Sequence, residues 1–379
     1  MVVQHFLRWI DTAKVAERSA AAHALARVYL QTDLAFEDRC AAEAALTLLL
    51  DDPSEKVRAA MAEVFSMSPA APRQIVEALA GDQPEVAGSI LVRSPLLSDA
   101  DLIDRIAQGD PRSQRLIAMR ARLSVAVSAA IAEIGEEDAC RELLGNSGAE
   151  IAGLSFRRLA ERFGDVASFR ELLLPDPRLP ADSRHTLLVK VGDALRASPF
   201  VASWIGPRRA ETLTKNACAR ASIALIDGTR DDEMPALVEH LRIRGDITPA
   251  FIVRAVAHGK IDFLGAVLVS LAGQPLERVR GLLQSGRDIA LVALFRAAGF
   301  GEALHGVILR ALKIWRDVAA GKRIAGPQEV SWMMLLYLEG EKEVGEDSAA
   351  RDLALLIKSI HLDVLRDNAR GHALAIAAA

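Results

Sequence analysis

The chain has 379 residues, of which 51% are hydrophobic and only 4% aromatic, and its formal net charge at pH 7 is −4. The 66 alanines and 50 leucines favour helices over strands, and this apolar content excludes a disordered chain. The balanced charge excludes a molecule that is basic overall. The chain has three widely spaced cysteines, Cys40, Cys140 and Cys218. Their spacing excludes a disulfide scaffold and indicates buried free thiols in a reducing compartment.

Apolar residues recur at three- and four-residue steps along almost the whole chain. Val57, Met61, Val64 and Phe65 show this spacing first, and a helix-ending Gly, a capping Asp or Asn, or a Pro follows every ten to twenty residues. In the second half we predict helices at residues 208–226, 233–244, 249–258, 261–272, 276–284, 288–298 and 302–320. An acidic loop at 340–347, a last helix at 348–368 and a frayed tail from residue 371 complete an all-α chain of roughly twenty helices.

The turns between the predicted helices repeat. Residues 52–60 are echoed at 82–87, at 110–117 and more loosely at 146–152, so the starting positions are separated by 30, 28 and 36 residues. This period fits one helix hairpin per repeat, and hairpins of this size bury their apolar faces by stacking on one another.

The stretch Asp52 to Arg58 resembles the opening of the second helix in HEAT-like repeats, with Asp followed by Val-Arg. Residues 94–102, 252–263 and 294–300 are similar to a domain family of unknown function that is common in alphaproteobacteria. The resemblance covers residues 45–318 and implies a bacterial helical-repeat protein without an assigned activity. We therefore predict HEAT-like hairpins stacked in a right-handed α-solenoid.

Two proline-containing segments interrupt the repeats. Residues 175–180 cannot continue a helix, and a second weak point lies at 197–207, although either segment also suits a turn between helices. We predict an N-terminal region of HEAT-like repeats at residues 1–199 and a C-terminal helical region at 200–379 that continues the solenoid or docks on it.

The sequence contains no recognisable catalytic, cofactor or metal motif. None of the eight histidines forms an i, i+4 pair, the Gly-Lys dipeptides lack the other residues of a phosphate-binding loop, and no Ser-x-x-Lys is present. We therefore predict a protein that is not an enzyme and has no cofactor. The N-terminus does not resemble a signal peptide and no apolar stretch is long enough to cross a bilayer, so we expect a cytoplasmic protein.

Two groups of arginines are the clearest candidates for binding. In stacked repeats, equivalent positions line up, so one group predicts a basic stripe for an anionic partner: Arg112, Arg115, Arg120, Arg122, Arg157 and Arg158. The second group lies at residues 277–323, where nine basic residues outnumber four acidic ones. A solvated helix face is the alternative for both groups.

The C-terminal segment 332–338 is rich in Trp, Met and Tyr, which suits either a partner surface or a cap on the repeat core, and we favour the cap. From the repeats and the absence of catalytic motifs we predict a non-enzymatic scaffold that binds a protein partner on its concave face. Nucleic-acid or anionic-ligand binding through the arginine stripe is the alternative.

Overall fold

A computed structural model describes residues 9–10, 12–31, 33–341 and 348–378. These residues form 22 helices and no strand, so the all-α prediction is confirmed. None of the helices in the described ranges combines the length and the apolar content that crossing a bilayer requires.

The chain divides into two compact units, the first ending at Leu179 and the second beginning at Pro180. The helices described in the first unit are α1 (Val15–Gln31), α2 (Phe36–Leu49), α3 (Glu55–Phe65), α4 (Arg73–Ala80), α5 (Pro84–Arg93), α6 (Asp99–Ala107), α7 (Pro111–Ala118), α8 (Val125–Ile134), α9 (Glu137–Gly145), α10 (Gly153–Phe163) and α11 (Ala167–Leu173).

The helices described in the second unit are α12 (Ala181–Ala197), α13 (Pro199–Ile205), α14 (Pro207–Asp227), α15 (Met234–Arg244), α16 (Pro249–Ala257), α17 (Ile261–Ala272), α18 (Leu276–Ser285), α19 (Asp288–Ala297), α20 (Glu302–Ala319), α21 (Pro327–Glu341) and α22 (Ser348–Ala378). The division falls in the first of the two proline-containing segments, about twenty residues before the boundary predicted at 199/200. Residues 197–207 instead form the turns around α13, which packs against α12 and α14 within the second unit.

Apart from α2 and α4, the helices of the first unit pack against the helix two positions away along the chain. One row consists of α1, α3, α5, α7, α9 and α11, and a second row contains α6, α8 and α10. Helices that follow directly in sequence, such as α6 and α7 or α8 and α9, join the rows. Contacts between near neighbours of this kind are what stacked helix hairpins produce.

The repeated turns lie at the starts of helices in one row. Asp52, Asp82 and Asp110 precede α3, α5 and α7, which are successive members of that row. The looser echo that starts at Asn146 precedes α10, which packs against α8 in the other row. The fourth echo is therefore not an equivalent position, which explains its longer offset.

Two of the repeated aspartates pair with arginines of the preceding helix in the row. Arg18 of α1 donates from Nε to Asp52 at 2.7 Å, and Arg58 of α3 donates to Asp82. Burial disfavours the Asp52 carboxylate, but the hydrogen bonds from Arg18 and from the Ser54 N–H outweigh it and lower its pKa. These Asp–Arg pairs thus join successive helices of this row.

A second recurring interaction, found in both units, joins an arginine side chain to the C-terminal end of a helix. It occurs at helices that are followed by a residue with extended backbone. The last residues of α5, α8 and α18 are followed by Ser94, Gly135 and Gly286, all with extended backbone, so the final carbonyls lack helical partners. In each case an arginine from two helices further on donates to those carbonyls. The pairs are Arg120 with Leu91 and Ser94 (2.5 and 2.7 Å), Arg162 with Ala132 and Gly135 (2.7 Å each), and Arg316 with Leu282, Leu283 and Gly286 (2.7, 2.6 and 3.1 Å).

The core of the second unit surrounds α16, of which all residues from Phe251 to Ala257 are buried. Helices α14, α17, α20, α21 and α22 contact it, so it lies at the centre of this unit. Helix α21 contributes three residues to the same core: Met334, Leu335 and Leu338. This agrees with the prediction that segment 332–338 packs on the core, although Trp332 is half-exposed.

The seven helices predicted between residues 208 and 320 agree with the structure to within one residue at each end, whereas no bounds were predicted for α21. The frayed tail is wrong, because α22 continues from Ser348 to Ala378. Its end is rich in alanine, the strongest helix former, and a single glycine at position 371 costs only about 1 kcal/mol. Of the predicted acidic loop, residues 340 and 341 belong to α21 and residues 342–347 lie outside the described residues.

Candidate functional site

A cavity of about 440 Å³ lies within the second unit. Its walls come from α12, from α14, from the segment at 244–248, from α16 and from Leu356 of α22. This volume lies in the range of small-molecule sites, which are concave and combine apolar walls with a few polar groups.

Gly192 lets the two longest walls of the cavity approach each other. A Cβ at this position would stand 2.4 Å from Sγ of Cys218, so α12 can pack this closely against α14 only with glycine here. Burial raises the pKa of the Cys218 thiol, which therefore stays protonated at neutral pH. Both residues shape the wall of the cavity and offer no nucleophile.

Arg254 is the most deeply buried charge that lines the cavity, with 4% of its surface exposed. Its Nη1 donates to Asp363 at 3.1 Å, and the same carboxylate accepts from Arg220 at 3.2 Å and faces Arg366 at 3.7 Å. One carboxylate therefore serves three guanidinium groups, so the surroundings of Arg254 keep a net positive charge.

His185 lies at the other side of the cavity and is paired with His240. The two rings are nearly perpendicular, Nδ1 of His185 stands 3.3 Å from Nε2 of His240, and only 3% of His185 is exposed. Burial, and to a smaller extent His240 and Arg244, lower the pKa of His185 to about 4, although Asp246 opposes the shift. At neutral pH the His185 ring is uncharged and can donate one hydrogen bond and accept another.

This shift predicts a stability that depends on pH. The pKa of His185 lies near 6.5 in the unfolded chain and near 4 in the folded one, so between these values the unfolded chain binds more protons. The stabilisation is complete above pH 6.5 and is lost as the pH falls towards 4. When the pH falls from 7 to 5, we expect the titration of His185 to lower the free energy of unfolding by about 2 kcal/mol. Urea unfolding at the two pH values measures this change.

The variant His185→Gln keeps a hydrogen-bonding side chain but cannot be protonated, so its unfolding free energy should lose about 2 kcal/mol less over this pH range. His23→Gln, at an exposed position in the first unit, is the matched control and should follow the wild type. An equal pH dependence in His185→Gln and in the wild type would contradict the assignment. His258, whose pKa is also lowered by burial, accounts for part of the dependence that remains.

Charged side chains of both signs stand at the mouth of the cavity. Arg196 donates to Asp193 at 2.8 Å, and Arg244 donates to Asp246 at 3.0 Å. These ion pairs neutralise two of the lining carboxylates locally. The remaining charged groups of the lining are Arg254, Lys215 and Glu211.

The arginine stripe predicted from the sequence lies in the first unit, and its members have different surroundings. Arg112 pairs with Glu85 at 2.8 Å, Arg115 with Glu142 at 3.3 Å, and Arg158 with Glu133 at 2.9 Å. Arg120 donates to the carbonyls at the end of α5, and burial lowers its pKa. Arg122 and Arg157 have exposed side chains. Binding of an anionic partner by this group stays a prediction.

The three cysteines are free, as predicted, but only Cys140 is fully buried. Burial raises its pKa to about 11, so the thiol is inert at neutral pH. Cys40, predicted as a small core residue, lies on the exposed face of α2 instead. Among the described residues, no three His, Cys, Asp or Glu side chains stand together as metal ligands.

Sequence reasoning missed the cavity because its residues are far apart in the chain. His185 and His240 are separated by 55 positions, and Arg254 and Asp363 by 109. The histidines share no local spacing, and Arg254 lies in an apolar segment in which it looks like an ordinary surface residue. No local signal identifies either pair.

The comparisons with known proteins agree with the predicted resemblance. Residues 86–336 match a family described as an uncharacterised protein conserved in bacteria, DUF2336, whereas the resemblance noted from the sequence spanned residues 45–318. The matched region extends from α5 into α21 and includes the cavity lining except Leu356. No curated protein and no solved structure matches the chain. Because the match covers about two thirds of its residues, the chain belongs to the DUF2336 family.

Proposed function

We propose that this protein is a non-catalytic helical-repeat scaffold of the HEAT-like type that binds a protein partner. Two observations support a repeated hairpin architecture. Helices contact the helix two positions away, and arginines bind the ends of helices in both units. Such repeats expose long, regular surfaces, and most known examples use them to bind other proteins. The predicted right-handed solenoid is part of the same proposal.

The observation that carries the proposal is the exposed apolar face of α13. None of its seven residues is buried, although it contains Phe200 and Trp204, which are 66% and 78% exposed. The two rings stand 5.4 Å apart and form one continuous aromatic surface. A contiguous apolar patch such as this pair marks a binding surface, whereas a single exposed side chain such as Ile289 does not, and tryptophan is enriched among energetically dominant contacts.

We place the docking surface here rather than on the concave face predicted from the repeats, because α13 also has a defined electrostatic setting. Arg196 pairs with Asp193, and the charged side chains that follow α13 up to residue 215 are three basic ones and one acidic one: Arg208, Arg209, Lys215 and Glu211. Arg208 and Arg209 follow the aromatic pair directly and are exposed. The complementary partner is a protein segment that presents apolar and acidic side chains together.

The test is cross-linking of the full chain in its native cells, with a photoreactive amino acid in place of Trp204. We expect one discrete cross-linked protein, and we expect mass spectrometry to locate the cross-link in a segment that contains both apolar and acidic residues. The double variant Arg208→Glu/Arg209→Glu should abolish this product. A cross-linker at Ile289, which is 85% exposed on α19, is the control for non-specific capture.

Three outcomes would overturn the proposal: no product, cross-links to lipid, or cross-links to a second copy of this chain only. A product that forms equally well from position 289 counts as non-specific capture and likewise contradicts it.

For the partner identified in this way, Trp204→Ala should weaken the affinity about 30-fold, which corresponds to about 2 kcal/mol and is typical of a buried aromatic anchor. The free protein should keep its unfolding free energy within about 0.5 kcal/mol, since the ring is exposed there. Ile289→Ala is the matched control and should change neither quantity. Isothermal titration calorimetry and urea unfolding measure the two effects. An unchanged affinity for Trp204→Ala would remove α13 from the interface.

A further inference from the structure

We infer that the cavity in the second unit binds a small anionic molecule through a carboxylate or phosphate group that pairs with Arg254. This inference does not depend on the docking surface at α13, since it concerns a different surface and a different class of ligand.

The first argument is the hydrogen bonding of Arg254. A guanidinium group has five N–H donors, and a buried one requires acceptors for them. Among the described residues, Asp363 is the hydrogen-bond acceptor of Arg254, and it is reached through Nη1. The donors on Nε and Nη2 are on a side chain that lines the cavity. A carboxylate or phosphate in the cavity would accept from both in a bidentate arrangement.

The second argument is charge. Asp363 is shared among Arg220, Arg254 and Arg366, so it does not neutralise Arg254 by itself. Of the three carboxylates in the lining, Asp193 and Asp246 pair with their own arginines, and the third is Glu211. An anion that enters therefore meets an incompletely neutralised cation in a poorly solvated place, where the attraction is strongest.

The third argument is the set of neutral polar groups that line the same cavity as Arg254. The buried His185 is uncharged at neutral pH and offers a ring nitrogen. Ser222 donates its hydroxyl to the carbonyl of Cys218 and keeps its oxygen lone pairs, whereas Thr248 accepts from the Phe251 N–H and keeps its hydroxyl proton. The lining thus provides both donors and acceptors, which suits a small polar metabolite better than a simple inorganic ion.

The competing explanation is that Arg254 only attaches α16 to α22 through Asp363. In that case the cavity is a packing defect filled with solvent, and anions bind there no better than uncharged molecules of the same shape. The two explanations differ in what anionic probes do to the wild-type protein.

The experiment uses the full chain and three probes: inorganic phosphate, succinate and uncharged dimethyl succinate. Thermal unfolding and isothermal titration calorimetry report binding, because a ligand that binds the folded state raises the melting temperature with its concentration. We expect phosphate or succinate to bind and dimethyl succinate to bind at least about tenfold more weakly. Comparing phosphate with succinate decides which acidic group the site prefers.

Two variants locate the binding. Arg254→Lys keeps the charge but loses the bidentate geometry and should weaken the anion about tenfold. Ala250→Phe fills the cavity from an exposed position in the first turn of α16, leaves the pair between Arg254 and Asp363 in place, and should abolish binding. Ala303→Phe, at an exposed position on α20 outside the cavity, is its control and should bind as the wild type does.

If neither anion binds the wild type at concentrations up to about 10 mM, or if both bind Ala250→Phe as tightly as the wild type, the inference is overturned. Ala250→Phe also keeps the test valid if Arg254→Lys does not fold.

Discussion

Replacing Arg316 by methionine should lower the free energy of unfolding of the second unit by about 3 to 4 kcal/mol. The guanidinium of Arg316 donates to three carbonyls at the end of α18, those of Leu282, Leu283 and Gly286. Methionine retains the apolar stem of the side chain and removes all three charge-assisted hydrogen bonds. The carbonyls stay at a helix end where the extended backbone of Gly286 provides no substitute.

Lys313→Met is the matched control, because it removes one positive charge from an exposed position on the same helix. It should change the unfolding free energy by less than about 0.5 kcal/mol. Urea unfolding followed by circular dichroism measures both variants, and hydrogen exchange of the amides in α18 locates the effect. Equal stability of the two variants would mean that solvent replaces the arginine at these carbonyls.

Replacing Asp363 by leucine should destabilise the second unit by about 3 to 5 kcal/mol, which makes it the largest single effect that we expect. The substitution leaves the buried guanidinium of Arg254 without its carboxylate. A buried charge without a partner costs more than the pair contributes, so the loss exceeds that of a typical hydrogen bond. Because Asp363 lies on α22 and Arg254 on α16, we also expect faster proteolysis of α22 in the folded state.

The double variant Asp363→Leu/Arg254→Met separates this explanation from a simple packing effect. Removing the guanidinium as well eliminates the unpaired charge, so the double variant should recover at least about 1 kcal/mol relative to Asp363→Leu. Asp367→Leu, an exposed position one turn along α22, is the control and should be close to the wild type. A double variant that is less stable than Asp363→Leu would show that the charge is not the source of the loss.

Helix positions in this protein follow from local sequence. The ends of α14 to α20 agree with prediction to within one residue because glycines, prolines and capping side chains act within a few positions of the helix end. Thr248, for example, caps α16 through the N–H of Phe251, and Pro249 begins the helix. The tail from residue 371 was predicted to fray because terminal residues commonly do, but the alanines there continue the helix to Ala378.

The recurring turns were also visible in the sequence, but the row of helices to which each turn belongs was not. Asp52, Asp82 and Asp110 mark successive helices of one row, whereas Asn146 precedes a helix of the other row. Asn146 resembles the aspartates because it also orders a turn: its amide donates to the carbonyls of Ala118 and Arg120, and its oxygen accepts from Gly148. Because its turn-forming side chain is similar, Asn146 looks equivalent to the three aspartates in the sequence, although it precedes a helix of the other row.

The roles of the arginines depend on backbone carbonyls, and which carbonyl lies near which arginine cannot be read from the sequence. Arg120 was predicted to contact an anionic partner, yet it donates to two backbone carbonyls, and Arg316 of the second basic group does the same with three. Every residue has a carbonyl, so an arginine that binds one leaves no pattern of matching acidic residues. Local charge counts consequently overstate how much basic surface is free.

The sequence by itself determined that this chain is helical, where the seven helices between residues 207 and 319 begin and end to within one residue, and that similar turns recur at positions 52, 82 and 110, because these follow from short-range capping, propensity and periodicity. The tertiary structure alone decided which arginines hold helix ends, that His185 meets His240, that Arg254 meets Asp363 beside a cavity, and that the aromatic face of α13 is left exposed. These features join positions 26 to 109 residues apart or depend on what packs against a helix, and both are consequences of stacking rather than of any local signal.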